Sequence, residues 1–160
     1  MKMLHYILIP LAVFLTAFIG SKITSVGMSW YNNRDLLTIP SWTPPGFVIG
    51  IVWTVIFILT AISTIIYWNK VPIGNMFYWI LGFFVANLLL NMLWSFLFFG
   101  VHYLGWAVIE ALILDLSVII LMVLIYPFSK LSSMLLLPYA FWVAFASYLT
   151  YSVWFLNRPY

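Results

Sequence analysis

Apolar residues run in long blocks along this chain, and polar residues collect between the blocks rather than alternating with them. Continuous apolar stretches cover residues 6–26, 47–68, 77–99, 104–126 and 134–154. A bilayer core needs about 20 helical residues per crossing, so each stretch is long enough to span one. Backbone groups in lipid must pair within their own segment, which predicts helices throughout. Short alternating segments, the mark of a membrane β-barrel, are missing from the pattern. The connections 69–75, 100–103 and 127–133 are short, and only the first, 27–46, is long. The predicted fold is an all-α membrane protein: one domain over 1–160, a bundle of five transmembrane helices. Its long first connection holds Trp30–Tyr31 and then Pro40-Ser41-Trp42-Thr43-Pro44-Pro45, with Trp53 following. An aromatic, proline-stiffened loop beside a bundle is read as a lid over a pocket.

Composition agrees with the block pattern. The chain is 66% hydrophobic, with 6 basic and 3 acidic residues, too apolar for a water-soluble domain of this length. Its basic residues are scattered, so no patch could neutralise a run of phosphates, and nucleic acid is excluded as a partner. There is no cysteine, and neither His5 nor His102 has a companion at ligand spacing, so no metal site is expected. The first twenty residues look superficially like a signal peptide, but the apolar character continues past Gly20, and they are read as a retained first span. Pro10 either bends that span or falls in its first turn. Five spans put the ends on opposite sides. Lys2, Lys70 and Lys130 then face Lys22, Arg34 and Arg158 across the membrane, a tie that leaves orientation open. Trp30, Trp68, Trp106 and Trp154 near span ends suit interfacial anchoring. An odd span number without internal repeats argues against an inverted-repeat transporter.

Polar residues inside the spans are the next signal. Asn87, Asn91 and Trp94–Ser95 share one face of the third span, either as glue between helices or as a pocket wall. Glu110 and Asp115 lie about 140° apart on the fourth span, so they form no dyad. Each is expected to bond a neighbouring helix in its protonated form or to reach water, and no chain of ionisable groups continues from them as a proton path. Trp142, Ala146 and Leu149 share a face of the fifth span, followed by Tyr151 and Trp154. That face suits either helix packing or a large planar apolar ligand held by stacking. Gly82 with Ala86, Gly46 with Gly50 and Ala140 with Ala144 are small pairs that allow close helix approach.

Taken in order, these residues resemble the translocator protein family, also called tryptophan-rich sensory proteins or peripheral benzodiazepine receptors. The similarity runs from about residue 6 to residue 157. It is carried by Trp30–Tyr31, the Pro40–Pro45 segment and Trp53–Thr54. Leu90-Asn91-Met92-Leu93-Trp94-Ser95 and Phe98-Phe99-Gly100 continue it, followed by Gly105-Trp106-Ala107 with Glu110. The last piece is Pro138–Tyr139, Trp142, Ala144-Phe145-Ala146, Leu149, Tyr151 and Trp154. The resemblance implies a five-helix bundle, usually a homodimer, whose first loop covers a cavity for porphyrins such as protoporphyrin IX and haem. Synthetic isoquinoline carboxamide and benzodiazepine ligands occupy the same cavity in the family. Carried onto this chain, the wall is Tyr31, Pro44, Trp53, Asn87, Asn91, Trp94, Trp142, Ala146 and Leu149, and the dimer interface falls on Gly82 and Ala86. The resemblance is to bacterial members, which sit in the inner membrane with a cytoplasmic C-terminus.

The expected function is a membrane receptor or sensor for porphyrins, needing no cofactor beyond the porphyrin it holds as ligand or substrate. Light-dependent porphyrin breakdown, linked to the family, would involve Trp53 and Trp142, since no conventional catalytic constellation is present. Transport of tetrapyrroles or other amphiphiles, and a purely structural role in the membrane, are the alternatives. The cholesterol-recognition segment of animal members is incomplete: Leu149 and Tyr151 remain, but Phe155 stands where a basic residue belongs and Arg158 comes too late. Cholesterol is therefore not expected as a partner.

Overall fold

A computed structural model describes residues 3–158; Lys2, counted above for orientation, lies outside them. The helices are α1 (His5–Asn32), α2 (Gly46–Lys70), α3 (Asn75–Ser95), α4 (Leu104–Ile125), α5 (Lys130–Leu135) and α6 (Leu137–Leu156), and α3 runs on into a π-helical turn, Phe96–Gly100. No strand occurs among the described residues. Five helical stretches are long and apolar enough to cross a membrane: α1, α2, α3 with its π turn, α4, and α5 with α6. The outer surface is apolar, with Phe47, Trp79, Val123 and Phe141 all more than half exposed, as expected where lipid is the solvent.

Two clusters fill the interior. One, around Ile56, Tyr67, Ile80, Val118, Leu121 and Val143, joins α2, α3, α4 and α6. The other, around Leu37, Phe98, Phe99, Leu104 and Val153, sits at the opposite end beneath the first loop. Helix α4 packs along α3 and α6, and α1 packs along α2, α3 and the π turn. Between these two groups a space remains.

The helix boundaries differ from the sequence reading in two places. Helix α1 continues six residues past the expected end at 26, so Trp30 and Tyr31 ride on its last turn and the loop shortens to 33–45. At 28 residues α1 is about 42 Å long, more than a hydrocarbon core requires. Gly27 is no breaker here. A Cβ on it would collide with the Phe99 carbonyl oxygen, so this glycine lets α1 lie directly against the π turn. Pro10 stands inside α1 and removes the N–H that would reach the Tyr6 carbonyl.

The fifth span is two helices rather than one. Ser129 caps α5 by accepting from the Ser132 amide at 3.2 Å. Leu136 then separates α5 from α6, whose first turn takes Pro138 where a missing N–H costs nothing. Part of the expected connection 127–133 is thus helical. Ser132 and Ser63 fasten it to α2, each hydroxyl donating to the other residue's carbonyl at 2.8 Å.

The small pairs also read differently. A Cβ on Gly46, Gly50 or Gly82 would meet nothing within 4 Å, whereas one on Gly105 would meet the Trp154 indole at 3.2 Å. Close approach within the chain belongs to Gly27 and Gly105. Gly82 and Ala86 face outward from the bundle.

Candidate functional site: an aromatic cavity under the first loop

The space between α1, α2, α3 and α6 is a cavity of about 760 Å³. That lies inside the range of roughly 300–1,000 Å³ usual for small-molecule sites. Its mouth is edged by the loop residues Ile39, Thr43, Pro44 and Pro45, and its base reaches Ala111 and Leu114 of α4. A smaller cavity of about 470 Å³ lies between α1, α2 and α3, with Trp68 its one tryptophan. The larger one holds three, Trp53, Trp94 and Trp142.

The loop is fastened at three points. Leu37 is almost fully buried among Phe98, Leu104 and Val153. Asn157, just past α6, grips Thr38 from both sides: its carbonyl oxygen accepts from the Thr38 amide at 2.8 Å, and its amide donates to the Thr38 carbonyl at 2.7 Å. Trp42 stacks on Tyr148 with ring centres 5.5 Å apart and meets Phe145 edge-on. Pro40, whose carbonyl accepts from both the Thr43 amide and its hydroxyl, then turns the chain so that Pro44 reaches the cavity.

Aromatic rings recur around the wall. Trp94 stacks on Phe98 at 5.2 Å, Tyr31 lies 5.5 Å from Phe99, Trp53 meets Tyr139 edge-on at 6.0 Å, and Trp142 lies 5.3 Å from Phe145. The π turn contributes by geometry. Its one extra residue per turn, closed by the Val101 amide on the Phe96 carbonyl, brings Phe98 and Phe99 to the same wall. Two residues past its end, His102 takes a left-handed backbone conformation (φ 59°) and stacks on Trp30 at 3.9 Å.

Of the wall positions drawn from the sequence, Tyr31, Pro44, Trp53, Asn91, Trp94, Trp142, Ala146 and Leu149 all border this cavity. Asn87 does not. It is buried one turn away, where its carbonyl oxygen accepts from the Tyr139 hydroxyl at 3.1 Å and its amide donates to Ser117 at 2.8 Å. Ser117 in turn donates to the Leu114 carbonyl, and Asn91 donates to Tyr139 at 3.2 Å. Asn87 is therefore glue between α3, α4 and α6, while Asn91 serves both the network and the wall. The two alternatives left open by sequence fall on different residues because four helical positions advance the side chain by about 40°.

Two polar features of the wall escaped the sequence reading. The indole N–H groups of Trp94 and Trp142 are buried with no acceptor among the described residues. Buried donors are normally satisfied, so each is a place for a ligand acceptor. Arg34 is the one charged side chain bordering the cavity among the described residues. Glu110 and Asp115 are not on the wall. Of the two alternatives for these acids, a bond to a neighbouring helix or access to water, the first is not met for Glu110, whose two buried oxygens have no partner among the described residues, nor for the Asp115 Oδ1 atom.

Fold and cavity together define a multi-pass α-helical membrane protein with an aromatic chamber roofed by its first loop. The pattern of the TspO/MBR family matches residues 7–155. The chain is 34% identical over 140 residues to the tryptophan-rich protein TspO of Bacillus cereus, covering 88% of each chain. It is 35% identical over 163 residues to the TspO of Archaeoglobus fulgidus, covering 98% of this chain and 99% of that one. With the human translocator protein it shares 33% identity over 154 residues, 90% of this chain and 85% of the other. This chain belongs to the TspO/MBR family.

Proposed function

We propose that this membrane protein is a receptor or sensor that holds a porphyrin, such as protoporphyrin IX or haem, in the aromatic cavity. The observation that carries the reading is the cavity itself: about 760 Å³, bordered by three indoles of which two present unpaired N–H donors. A flat macrocycle buries large apolar faces against Trp53 and Trp142, and indole N–H groups meet its polar atoms. Isoquinoline carboxamide and benzodiazepine ligands, planar and apolar with a carbonyl acceptor, suit the same wall. The relatives' name, translocator protein, speaks for movement of a ligand; flux of porphyrin across sealed liposomes is the result that would favour transport over sensing.

The test is a titration of detergent-purified protein with protoporphyrin IX in the dark, followed by illumination and product analysis. Saturable quenching that weakens in Trp53→Ala and Trp142→Ala supports the receptor reading, and unsaturable partitioning overturns it. A protein-dependent product, blocked by a competing ligand and lost in both variants, supports light-dependent breakdown at the same two indoles. Product formation that persists in the variants is ordinary bleaching of a bound dye.

We further propose a homodimer seated on the outward Gly82–Ala86 face, where small side chains let a second α3 approach. The bacterial inner membrane, with the C-terminus in the cytoplasm, is the location this reading carries. A reporter fused after residue 160 tests the side: activity of a periplasm-dependent reporter overturns it.

A further inference from the structure

We propose that Arg34 reads a carboxylate on the cavity's ligand, so that the site selects anionic over neutral forms of a flat apolar molecule. This rests on the reading of the cavity as a ligand site and adds a statement about the ligand's charge and orientation. The observations concern one side chain at the mouth. Every other residue bordering the cavity, among those described, is aromatic, aliphatic or a neutral polar group; Arg34 alone carries charge.

The guanidinium is positioned and largely unspent. Arg34 follows the end of α1, in a turn where the Leu36 and Leu37 amides return to the Asn33 carbonyl and the Asn33 side chain accepts from the Asp35 amide. From there its Nη1 donates to the Tyr31 carbonyl at 3.0 Å, and its central carbon lies 6.0 Å from the Tyr31 ring centre. The next residue is an acid, yet Asp35 makes no ion pair with it among the described residues. A guanidinium has five N–H donors in a planar fork that matches a carboxylate, and one hydrogen bond leaves the rest to offer. Tyr31 borders the same cavity, so the contact that holds Arg34 also holds it at the rim.

Depth sets the orientation. The unpaired indole donors of Trp94 and Trp142 are buried, while Arg34 is exposed. A ligand that satisfies both has an apolar body with weak acceptors within it and an anionic group at one edge. Protoporphyrin IX has that form, with its two propionates on one side of the ring. Its dimethyl ester keeps the body and removes the charge.

The experiment measures dark binding of protoporphyrin IX and of its dimethyl ester to wild type, Arg34→Gln, Arg34→Lys and Lys22→Gln in the same detergent. Lys22 is the control cation, on α1 but off the cavity wall, its ammonium 5.5 Å from the Phe18 ring. Because Arg34 is exposed, the wild-type preference for the diacid is expected to be about three- to fivefold, and to shrink with added salt. Arg34→Gln is expected to lose that preference through weaker diacid binding, Arg34→Lys to keep part of it, and Lys22→Gln to keep all of it. An undiminished preference in Arg34→Gln, or an equal loss for both porphyrins, overturns the role of Arg34 while leaving the cavity's function intact. Absence of saturable binding for either porphyrin in wild type overturns the receptor reading itself.

Discussion

The Tyr139 hydroxyl joins three helices through one oxygen: it donates to Asn87, accepts from Asn91, and reaches α4 through Ser117. Replacing it with Phe leaves an asparagine acceptor and an asparagine donor buried and unpaired. In a membrane interior such bonds are worth about 0.6–2 kcal/mol, so Tyr139→Phe is expected to lower stability by about 1–2 kcal/mol in a denaturation series in detergent. The tryptophans behave in the opposite way. Trp142 presents an N–H that nothing in the described chain accepts. Trp142→Phe keeps a ring and removes that unpaired donor, so unliganded stability should hold or rise while porphyrin affinity falls about three- to tenfold. A parallel fall in stability would mean that the indole is structural packing. Residue types and positions suggested flat apolar walls; the state of each N–H emerged only once the neighbours were known.

At the scale of elements, glycine spacing was a poor guide to helix contact and backbone geometry a good one. Gly27 sits where a Cβ would strike the Phe99 carbonyl, a backbone atom with little freedom to move. Gly27→Ala is therefore expected to push α1 off the π turn and cost about 2 kcal/mol or more, whereas Gly82→Ala meets no atom of its own chain and should leave the stability of a single copy unchanged or slightly raised. A thermal series on the two variants checks the contrast. The loop follows the same logic. Its clasp to Asn157 lies at the surface, away from the main cluster. Asn157→Ala should quicken porphyrin release in a stopped-flow displacement assay with little change in melting temperature. Equal release rates would mean that Leu37 and Trp42 suffice to hold the loop.

For the whole molecule, the apolar outer surface and the five spanning stretches make the bilayer part of the fold. The proposed pairing of two copies adds one expectation. Ala86→Trp, placed on the outward face of α3, should convert a dimer to a monomer in sedimentation while leaving the interior cavity in place. A dimer that survives Ala86→Trp locates the interface elsewhere.

Span number, helical character and the shared helix faces were legible in the chain by itself, because each depends on quantities local to the sequence, whereas the wall as a set came through the family resemblance. An apolar run of twenty residues must be a helix in lipid whatever surrounds it. A shared face for Trp142, Ala146 and Leu149 follows from helical pitch alone. The tertiary structure decided what depends on how the helices rotate against one another. It withdrew Asn87 behind Tyr139 while leaving Asn91 on the wall, made Gly27 rather than Gly82 the point of close approach, and carried Trp30 and Tyr31 up onto α1. It also sank the loop residue Leu37 among Phe98, Leu104 and Val153 and set Arg34 at the rim of the cavity. These outcomes have one cause. A helix offers every direction around its axis, and only packing against the other helices selects which direction meets a partner, a cavity or lipid.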